Sequence, residues 1–139
     1  MLILDTDHLS ALDRTSAAGV VLERRLDASG EDIATTIISA EEQLRGRLAQ
    51  INKCRDPDKL IAHYLRLRQR IEYFAAGTVL DWDAGSAREF ARLRDLRLGI
   101  GTMDLRIAGI VLSAGGLLLT RNLTDFGKVT GLRAENWLD

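Results

Sequence analysis

Residues 2–10 read Leu-Ile-Leu-Asp-Thr-Asp-His-Leu-Ser, and this stretch decides the fold class. Its three leading apolar residues form a short continuous run, which is typical of a strand buried on both faces. Similar runs recur at 32–38, 78–80 and 117–119, and helical patterns fill the intervals between them. Such alternation predicts a parallel sheet covered on both sides by helices, an α/β fold built as a three-layer α/β/α sandwich.

Capping residues set the predicted helix boundaries. Thr6 or Asp7 is placed to cap a short helix directly after the first strand. Ser39 has Glu42 three residues later, a capping-box pattern that predicts a helix start there and a second strand over 32–38. Glu42 therefore has two interpretations, as the partner of Ser39 in the cap or as part of a functional site.

A regular apolar stripe between Leu60 and Phe74 predicts a long amphipathic helix. Its members are spaced by 4, 3, 4 and 3 residues, so they share one face, which we expect to pack on the core. Arg66, Arg68 and Arg70 are predicted to be surface charges, with contact to RNA or to a partner as the alternative. The stripe also has a second interpretation, as an apolar trough for an amphipathic peptide.

Composition excludes several classes of protein. The 139 residues suit one domain, 1–139, with a sizeable core. Cys54 is the single cysteine, which excludes a disulfide framework and a cysteine-based zinc site. With two histidines, a metal held by several side chains would take mainly oxygen ligands, which favours magnesium, manganese or calcium. No apolar run reaches the ~20 residues of a membrane-spanning helix, and we expect a cytoplasmic protein without membrane contact.

The nearly neutral chain is uneven in charge. Its 20 acidic and 19 basic residues give a formal charge of −1. Residues 1–44 hold nine acids and three bases, whereas residues 45–97 hold twelve bases and seven acids. Sixteen of the bases are arginine, whose planar fork suits phosphate as well as ordinary surface ion pairs. The pattern indicates either a cation site beside a phosphate-binding surface or solvated helix faces.

Four segments bring carboxylates, and one carboxamide, toward the same edge of the predicted sheet. Asp5 and Asp7 follow the first strand, Glu41 and Glu42 lie just after the second, Asp104 begins the buried helix after a Gly-x-Gly turn, and Asn122 with Asp125 follows the strand 117–119. Sites in open α/β sheets form at the carboxyl ends of strands. Taken singly, each acid is also explained as a helix cap or a partner of the helix dipole. Taken together they repel one another unless a cation neutralises them, and a hard divalent ion would activate water and polarise a phosphate.

Four segments together resemble the motifs of PIN-domain ribonuclease toxins of the VapC type, which belong to type II toxin–antitoxin systems. They are Leu-Asp-Thr-Asp-His-Leu-Ser (4–10), Ile-Ile-Ser-Ala-Glu-Glu-Gln-Leu-Arg-Gly (37–46), Ile-Gly-Thr-Met-Asp-Leu-Arg-Ile-Ala (100–108) and Leu-Leu-Thr-Arg-Asn-Leu-Thr-Asp-Phe (118–126). Each motif is weak alone, but the four in this order and spacing are specific.

The resemblance implies a sheet of four or five parallel strands and an endoribonuclease that depends on Mg²⁺ or Mn²⁺. Asp5, Glu42 and Asp104 would be catalytic, with Asp5 and Asp104 as metal ligands for a water that hydrolyses an RNA phosphodiester bond. The supporting residues would be Asp7, Thr120, Asn122 and Asp125. Many relatives have Asp where this chain has Asn122, so the fourth acidic position stays open between Asn122 and Asp125.

The resemblance also implies partners. An RNA substrate, tRNA or rRNA, would be held through its backbone by Arg45 and Arg121. A cognate antitoxin protein would inhibit the enzyme, and two copies of the chain would form a homodimer.

Two other functions fit part of the same pattern. Asp5-x-Asp7 after a strand resembles the nucleophile motif of haloacid-dehalogenase-type phosphatases, which also need a lysine near a later motif. A non-enzymatic receiver-like signalling domain also has an acidic Mg²⁺ pocket, and it needs a lysine after a late strand. The available lysines are Lys53, Lys59 and Lys128, and none follows a clear strand.

Overall fold

Short strands alternate with helices over residues 1–14 and 16–139, which the computed structural model describes. The strands are β1 (Leu2–Leu4), β2 (Ile33–Thr36), β3 (Val79–Leu80), β4 (Leu117–Leu119) and β5 (Arg133–Glu135). The helices are α1 (Thr6–Asp13), α2 (Ala17–Ser29), α3 (Ile37–Lys53), α4 (Pro57–Ala76), α5 (Ala84–Asp95), α6 (Thr102–Ala114) and α7 (Leu123–Phe126). None of the helices in these ranges is long and apolar enough to cross a membrane.

The strands form one parallel sheet in the order β3-β2-β1-β4-β5. The central strand β1 lies between β2 and β4, with Leu4 level with Thr35 on one side and with Leu119 on the other. The predicted α/β fold is confirmed. Because the chain winds outward from β1 to β3 and then returns to β4, the winding reverses at the β1–β4 junction. Ligands of open α/β sheets bind beyond the strand ends at such a junction.

The central strand divides the core into two layers. Leu2 and Leu4 pack with residues of α1 and α2, among them Leu9 and Leu22. Ile3 points to the other side, where it joins the apolar residues of α5 and α6. Successive side chains of a strand point to opposite faces, so one three-residue strand serves both layers. This burial on both faces explains why its sequence is continuously apolar.

Two helix starts differ from the sequence prediction. Asp5 caps α1, since its Oδ1 accepts a hydrogen bond of 2.8 Å from the Thr6 backbone N–H. Thr36 caps α3, since its Oγ1 accepts from the backbone N–H of Ser39 at 3.1 Å. The predicted caps at Thr6 or Asp7 and at Ser39 are therefore wrong, and β2 ends at Thr36 rather than at residue 38. Several neighbouring residues here are good caps, and tertiary packing chooses among them.

The apolar stripe of α4 is less buried than predicted. Tyr64 is 55% exposed and Ile71 is 52% exposed, because α4 packs chiefly against α3 and lies outside the central layers. The prediction that Arg70 is a surface charge is also wrong. Its side chain is buried, where it donates to Asp13 Oδ1 and Gln43 Oε1, both at 2.9 Å. Burial of the guanidinium is tolerated because these oxygens satisfy it.

Gly109 marks the closest approach of α6 to α5. A Cβ atom at this position would lie 2.9 Å from the Ser86 carbonyl oxygen and 3.2 Å from the Phe90 nitrogen, both backbone atoms that have little freedom to move. Gly46, on the exposed side of α3, has open space where its Cβ would be. The two glycines therefore form a matched pair of helix positions, one crowded and one free.

We expect Gly109→Ala to lower the free energy of unfolding by about 1–3 kcal/mol, because the added methyl overpacks the α5–α6 contact. Gly46→Ala should instead raise it by about 0.5–1 kcal/mol, since alanine favours an exposed helix position. Urea unfolding followed by circular dichroism measures both. Equal effects of the two substitutions would contradict the packing described for Gly109.

Candidate active site at the carboxyl ends of β1 and β4

A chain of hydrogen bonds joins the ends of β1 and β4 to the first turn of α1 and the second turn of α3. Asp5 Oδ2 accepts from Thr120 Oγ1 at 2.8 Å, and Asp5 Oδ1 accepts from the Thr6 backbone N–H. Thr6 Oγ1 in turn donates to Glu42 Oε2 at 2.8 Å. Asp5 is 8% exposed and Thr120 is fully buried, so both are fixed by the sheet. Two of the predicted carboxylates, Asp5 and Glu42, are thus linked through a single threonine.

Asn122 continues this chain to the third predicted carboxylate. Its backbone N–H donates to Thr120 Oγ1 at 3.0 Å. Its side-chain Nδ2 donates to Asp104 Oδ2 and to Asp125 Oδ2, each at 3.0 Å, while its Oδ1 caps α7. Asp104 lies in the first turn of α6. Asn122 therefore takes a position between two acids, and it serves as a donor that orients them.

Burial and mutual repulsion govern the ionisation of the three carboxylates. Burial raises the pKa of Asp5, Glu42 and Asp104 above their usual values. The charge of Asp104 raises the pKa of both Asp5 and Glu42 further, and hydrogen bonds from neighbouring side chains offset part of each rise. None of the three takes part in a salt bridge within residues 1–14 and 16–139. The cluster has negative charge without a cationic partner.

Asp125 differs from these three acids. The pKa of its carboxyl is lowered, first by the hydrogen bond from Asn122 and then by Lys128, whose Nζ lies 3.3 Å from Asp125 Oδ1. Its charge is therefore already balanced within the chain. Of the two candidates for the fourth acidic position, Asn122 has no charge and the charge of Asp125 is balanced by Lys128.

The remaining predicted residues lie at the edge of this cluster. Asp7 is exposed, and it acts on Asp5 and Asp104 only through its charge, which raises the pKa of both. Arg121 follows Thr120 and pairs with Asp139 at 3.5 Å. Arg45 pairs with Glu41, one turn away on α3. Both arginines are exposed, and their predicted contact with RNA stays a prediction.

Sequence reasoning missed the bridging role of Thr6. Its position next to Asp5 made it a candidate cap, but the structure uses its hydroxyl to hold Glu42 instead. The sequence feature that could have indicated this role is the position of the Thr6 hydroxyl between two acids, in Asp5-Thr6-Asp7.

His8 is buried on the side of α1 that faces the end of the chain. Its Nε2 accepts a hydrogen bond of 3.2 Å from the Trp137 backbone N–H. Burial lowers the pKa of His8 to about 4, so the ring is neutral at pH 7. Because the unfolded chain would take up a proton near pH 6.5, this group contributes stability that is lost as the pH falls from about 6.5 to about 4.

The donor set of the cluster fits a hard divalent cation. Its side chains offer only oxygen, and Glu42 Oε1 and Asp104 Oδ1 accept no hydrogen bond from the described residues. No three His, Cys, Asp or Glu side chains in those residues stand together as a ready-made metal-binding group. Magnesium does not require one, since it keeps several waters and usually binds through one or two carboxylates.

Comparison with solved structures identifies the fold. VapBC-1 from nontypeable Haemophilus influenzae aligns with a TM-score of 0.74 and 20% identity over 99% of this chain and 98% of that one. A toxin–antitoxin complex from Klebsiella pneumoniae aligns with a TM-score of 0.71 and 17% identity over 99% of this chain and 98% of that one. The chain has the PIN-domain fold of the VapC proteins. The fold that the resemblance implies is therefore confirmed.

Sequence similarity to VapC proteins is local. The tRNA(fMet)-specific endonuclease VapC of Shigella flexneri is 40% identical over 63 residues, which are 42% of this chain and 48% of that protein. The chain spans about half the length of the curated relatives it matches. No family model matches the chain.

The geometry disfavours the two other functions. A receiver-like sheet has the order 2-1-3-4-5, whereas β1 here lies between β2 and β4. A phosphatase of the haloacid-dehalogenase type needs a lysine at the carboxylates. Lys128 pairs with Asp125 rather than with Asp5, and Lys53 and Lys59 lie around the α3–α4 connection. The PIN fold with its acidic cluster is the better account of the site.

Repulsion within the cluster leads to a test in the absence of metal. Because the pKa values of Asp5, Glu42 and Asp104 are raised in the folded protein, these groups bind protons more tightly there than in the unfolded chain, so their contribution to metal-free stability falls as the pH rises through those values. Asp104→Asn removes one charge, and we expect a shallower fall and a higher free energy of unfolding at pH 7. At about 100 times its Kd, a divalent cation should add about 2.7 kcal/mol to the original protein, and less to the variant.

Asp27→Asn is the matched control, because Asp27 is an exposed acid on α2 away from the cluster. Thermal unfolding with EDTA and then with Mg²⁺, at several pH values, gives the comparison. His8 contributes equally to all three proteins. Equal metal stabilisation of the original and the Asp104→Asn proteins would contradict the assignment of Asp104.

Proposed function

We propose that this protein is a VapC-type toxin, a divalent-metal-dependent endoribonuclease that hydrolyses RNA phosphodiester bonds. The observation that carries the proposal is the linked cluster of Asp5, Glu42 and Asp104 at the β1–β4 junction, which has no cationic partner in the described residues. The PIN fold supports it, and so does the name of the Shigella relative, an endonuclease.

Asp5 and Asp104 are the residues that would hold the metal. A bound Mg²⁺ or Mn²⁺ lowers the pKa of a water and neutralises charge on the phosphate. Asp5 suits this role because Thr120 and Thr6 fix both of its oxygens, so its orientation is set before any ligand arrives. Asn122 orients Asp104 in the same way.

Glu42 would act as the general base that accepts the proton of the attacking water. Thr6 holds Glu42 Oε2, while Oε1 is free to accept a hydrogen bond. Burial and the neighbouring charges raise the pKa of Glu42, which brings its basicity closer to neutral pH. Asn122 in place of a fourth carboxylate, together with the balanced charge of Asp125, supports a site that binds one metal ion.

Substrate and partners are part of the proposal. The Shigella relative is named for tRNA(fMet), which supports a tRNA substrate for this chain, with Arg45 and Arg121 among the candidate contacts to its backbone and rRNA as the alternative. The structural neighbours include a toxin–antitoxin complex, which supports a cognate antitoxin as the inhibitor. We further propose one domain, a homodimer and a cytoplasmic location.

Adjacent glutamates allow a direct test of the activity. Glu42→Gln should lower cleavage of total RNA by at least about 100-fold, because it removes a charged acceptor from the cluster. Glu41→Gln, which alters the exposed neighbour that pairs with Arg45, should cleave like the original protein. Gel electrophoresis of RNA incubated with Mg²⁺ or Mn²⁺ measures both. RNA left intact by the original protein in every divalent metal, or cleaved equally well by Glu42→Gln, would refute the proposal.

A further inference from the structure

A polar groove leads from the active site along α3. Its first part has a cavity volume of about 280 Å³ and begins at Thr6, whose hydroxyl binds Glu42. Its second part has a volume of about 420 Å³ and surrounds the α3–α4 connection. Gln50 lines both parts, so the two cavities lie next to each other along α3. We name this surface the α3 groove, and the residues of α3 that line it are Gln43, Gly46, Arg47, Gln50 and Lys53.

Helical periodicity explains why these positions form one track. Their spacings of 3, 1, 3 and 3 keep them on one side of an α-helix, on the stripe that also passes close to Glu42. Gly46 lies one turn beyond Glu42, and no atom occupies the place of its missing side chain. From Glu42 to Lys53 the helix rises by ~16 Å, which is about five nucleotides of a stacked strand at ~3.4 Å each.

The groove has an excess of positive charge. Among its lining residues, five are cationic and two are acidic: Arg14, Arg47, Lys53, Arg55 and Lys59 against Asp13 and Asp56. Asp13 is already shared by Arg47 at 3.1 Å and the buried Arg70 at 2.9 Å. Lys53, Arg55 and Lys59 are exposed, and no salt bridge within residues 1–14 and 16–139 involves them.

The lining chemistry favours a polyanionic strand over a folded protein partner. No large apolar or aromatic side chain lines either part of the groove. Protein interfaces have such residues at their centre, where they supply most of the binding energy. Amides and cations in a row instead suit a series of phosphates, which are bound largely through charge.

We infer that the α3 groove holds the backbone of the RNA strand that extends from the cleaved phosphate, with Lys53, Arg55 and Lys59 as its distal phosphate contacts. This inference rests on the ribonuclease function proposed above, and it changes the expected path of the RNA. Arg45, which the sequence suggested as a contact, is turned about 160° around α3 from Arg47 and pairs with Glu41.

The test compares two triple variants that each remove three exposed cations. The groove variant is Lys53→Gln, Arg55→Gln and Lys59→Gln. The matched control is Arg24→Gln, Arg68→Gln and Arg88→Gln, on α2, α4 and α5 outside the groove. Circular dichroism and urea unfolding first establish that both variants fold like the original protein. The probes are fluorescein-labelled single-stranded oligouridylates of about 4 and about 16 nucleotides, bound in EDTA so that they stay intact.

For the long probe, we expect the groove variant to reduce the slope of log K against log[salt] by about 2, since each phosphate contact to a single strand contributes about 0.7. Its affinity at 0.1 M salt should fall at least about tenfold, with a smaller loss for the short probe, and the control should match the original protein. Cleavage of a long RNA in Mn²⁺ should also be lower for the groove variant than for the original protein and the control, which should cleave equally well.

Equal slopes and affinities for the groove variant and the control would overturn the inference. So would a groove variant that loses binding to labelled polyglutamate but keeps its binding to RNA, because the groove would then serve an acidic protein. Binding is measured without metal, so its result stands even if the original protein cleaves no RNA. A protein that cleaves no RNA would refute the proposed function, while the binding data would still show whether the α3 groove holds an RNA strand.

Discussion

The proposed site depends on the unneutralised charge of three partly buried carboxylates, which a chain of hydrogen bonds links at the β1–β4 junction. Asp5, Glu42 and Asp104 each have a raised pKa because burial and the neighbouring acids disfavour their charged forms. A chain held only for stability would place arginine or lysine among them, since unpaired charge in a partly buried site is costly. This chain instead surrounds them with neutral donors, namely Thr6, Thr120 and Asn122. Such donors orient the acids without neutralising them, and a cation is left to balance the charge.

The parallel sheet makes this convergence possible. All five strands point the same way, so their carboxyl ends lie at one edge, and the winding reverses at β1 and β4, which is where ligands of open α/β sheets bind. Asp5 directly follows β1 and Thr120 directly follows β4, which makes their hydrogen bond a consequence of strand pairing. The apolar layers on either side of Ile3 and Leu4 hold that edge in place. The apolar core that stabilises the protein thus covers the two faces of the sheet, whereas the acids of the proposed active site lie at the carboxyl ends of its strands.

The meeting of Asp5 with Thr120 was predictable because it follows from topology, whereas Asp104 follows no strand and its place at this edge depends on the packing of α6. Once short apolar runs alternate with helices, residues that follow the strands must meet at the same edge, whichever side chains they carry. The catalytic roles of Asp5, Glu42 and Asp104 remain predictions, but the structure shows that one chain of hydrogen bonds links the three residues. The helix caps were less predictable. Thr36 and Ser39 are both good caps, and the local pattern of Ser39 with Glu42 gave no reason to choose Thr36.

Contacts between helices that are far apart in the sequence could not be predicted from the sequence. Arg70 is buried because Asp13 and Gln43, from two other helices, receive its guanidinium, and no local pattern encodes that meeting. The same limit applies to Thr6, whose hydroxyl crosses from α1 to Glu42 on α3. Periodicity predicted an apolar stripe on α4, but it gave no information on whether another layer covers that stripe. Which side chains meet depends on how the helices pack in three dimensions. Which residues lie at the carboxyl ends of the strands can instead be read from the order of strands and helices along the chain.

Paramagnetic broadening by Mn²⁺ tests the central claim most directly, because it locates a bound cation without reference to activity. Small amounts of Mn²⁺ are added to ¹⁵N-labelled protein, and the loss of each backbone amide signal is followed by NMR. The account predicts that the signals of Thr6, Asp104 and Asn122 disappear first, while those of Asp56 and Asp58, an exposed acidic pair at the start of α4, persist. Broadening that centres on Asp56 and Asp58, or that spreads evenly over the chain, would contradict it.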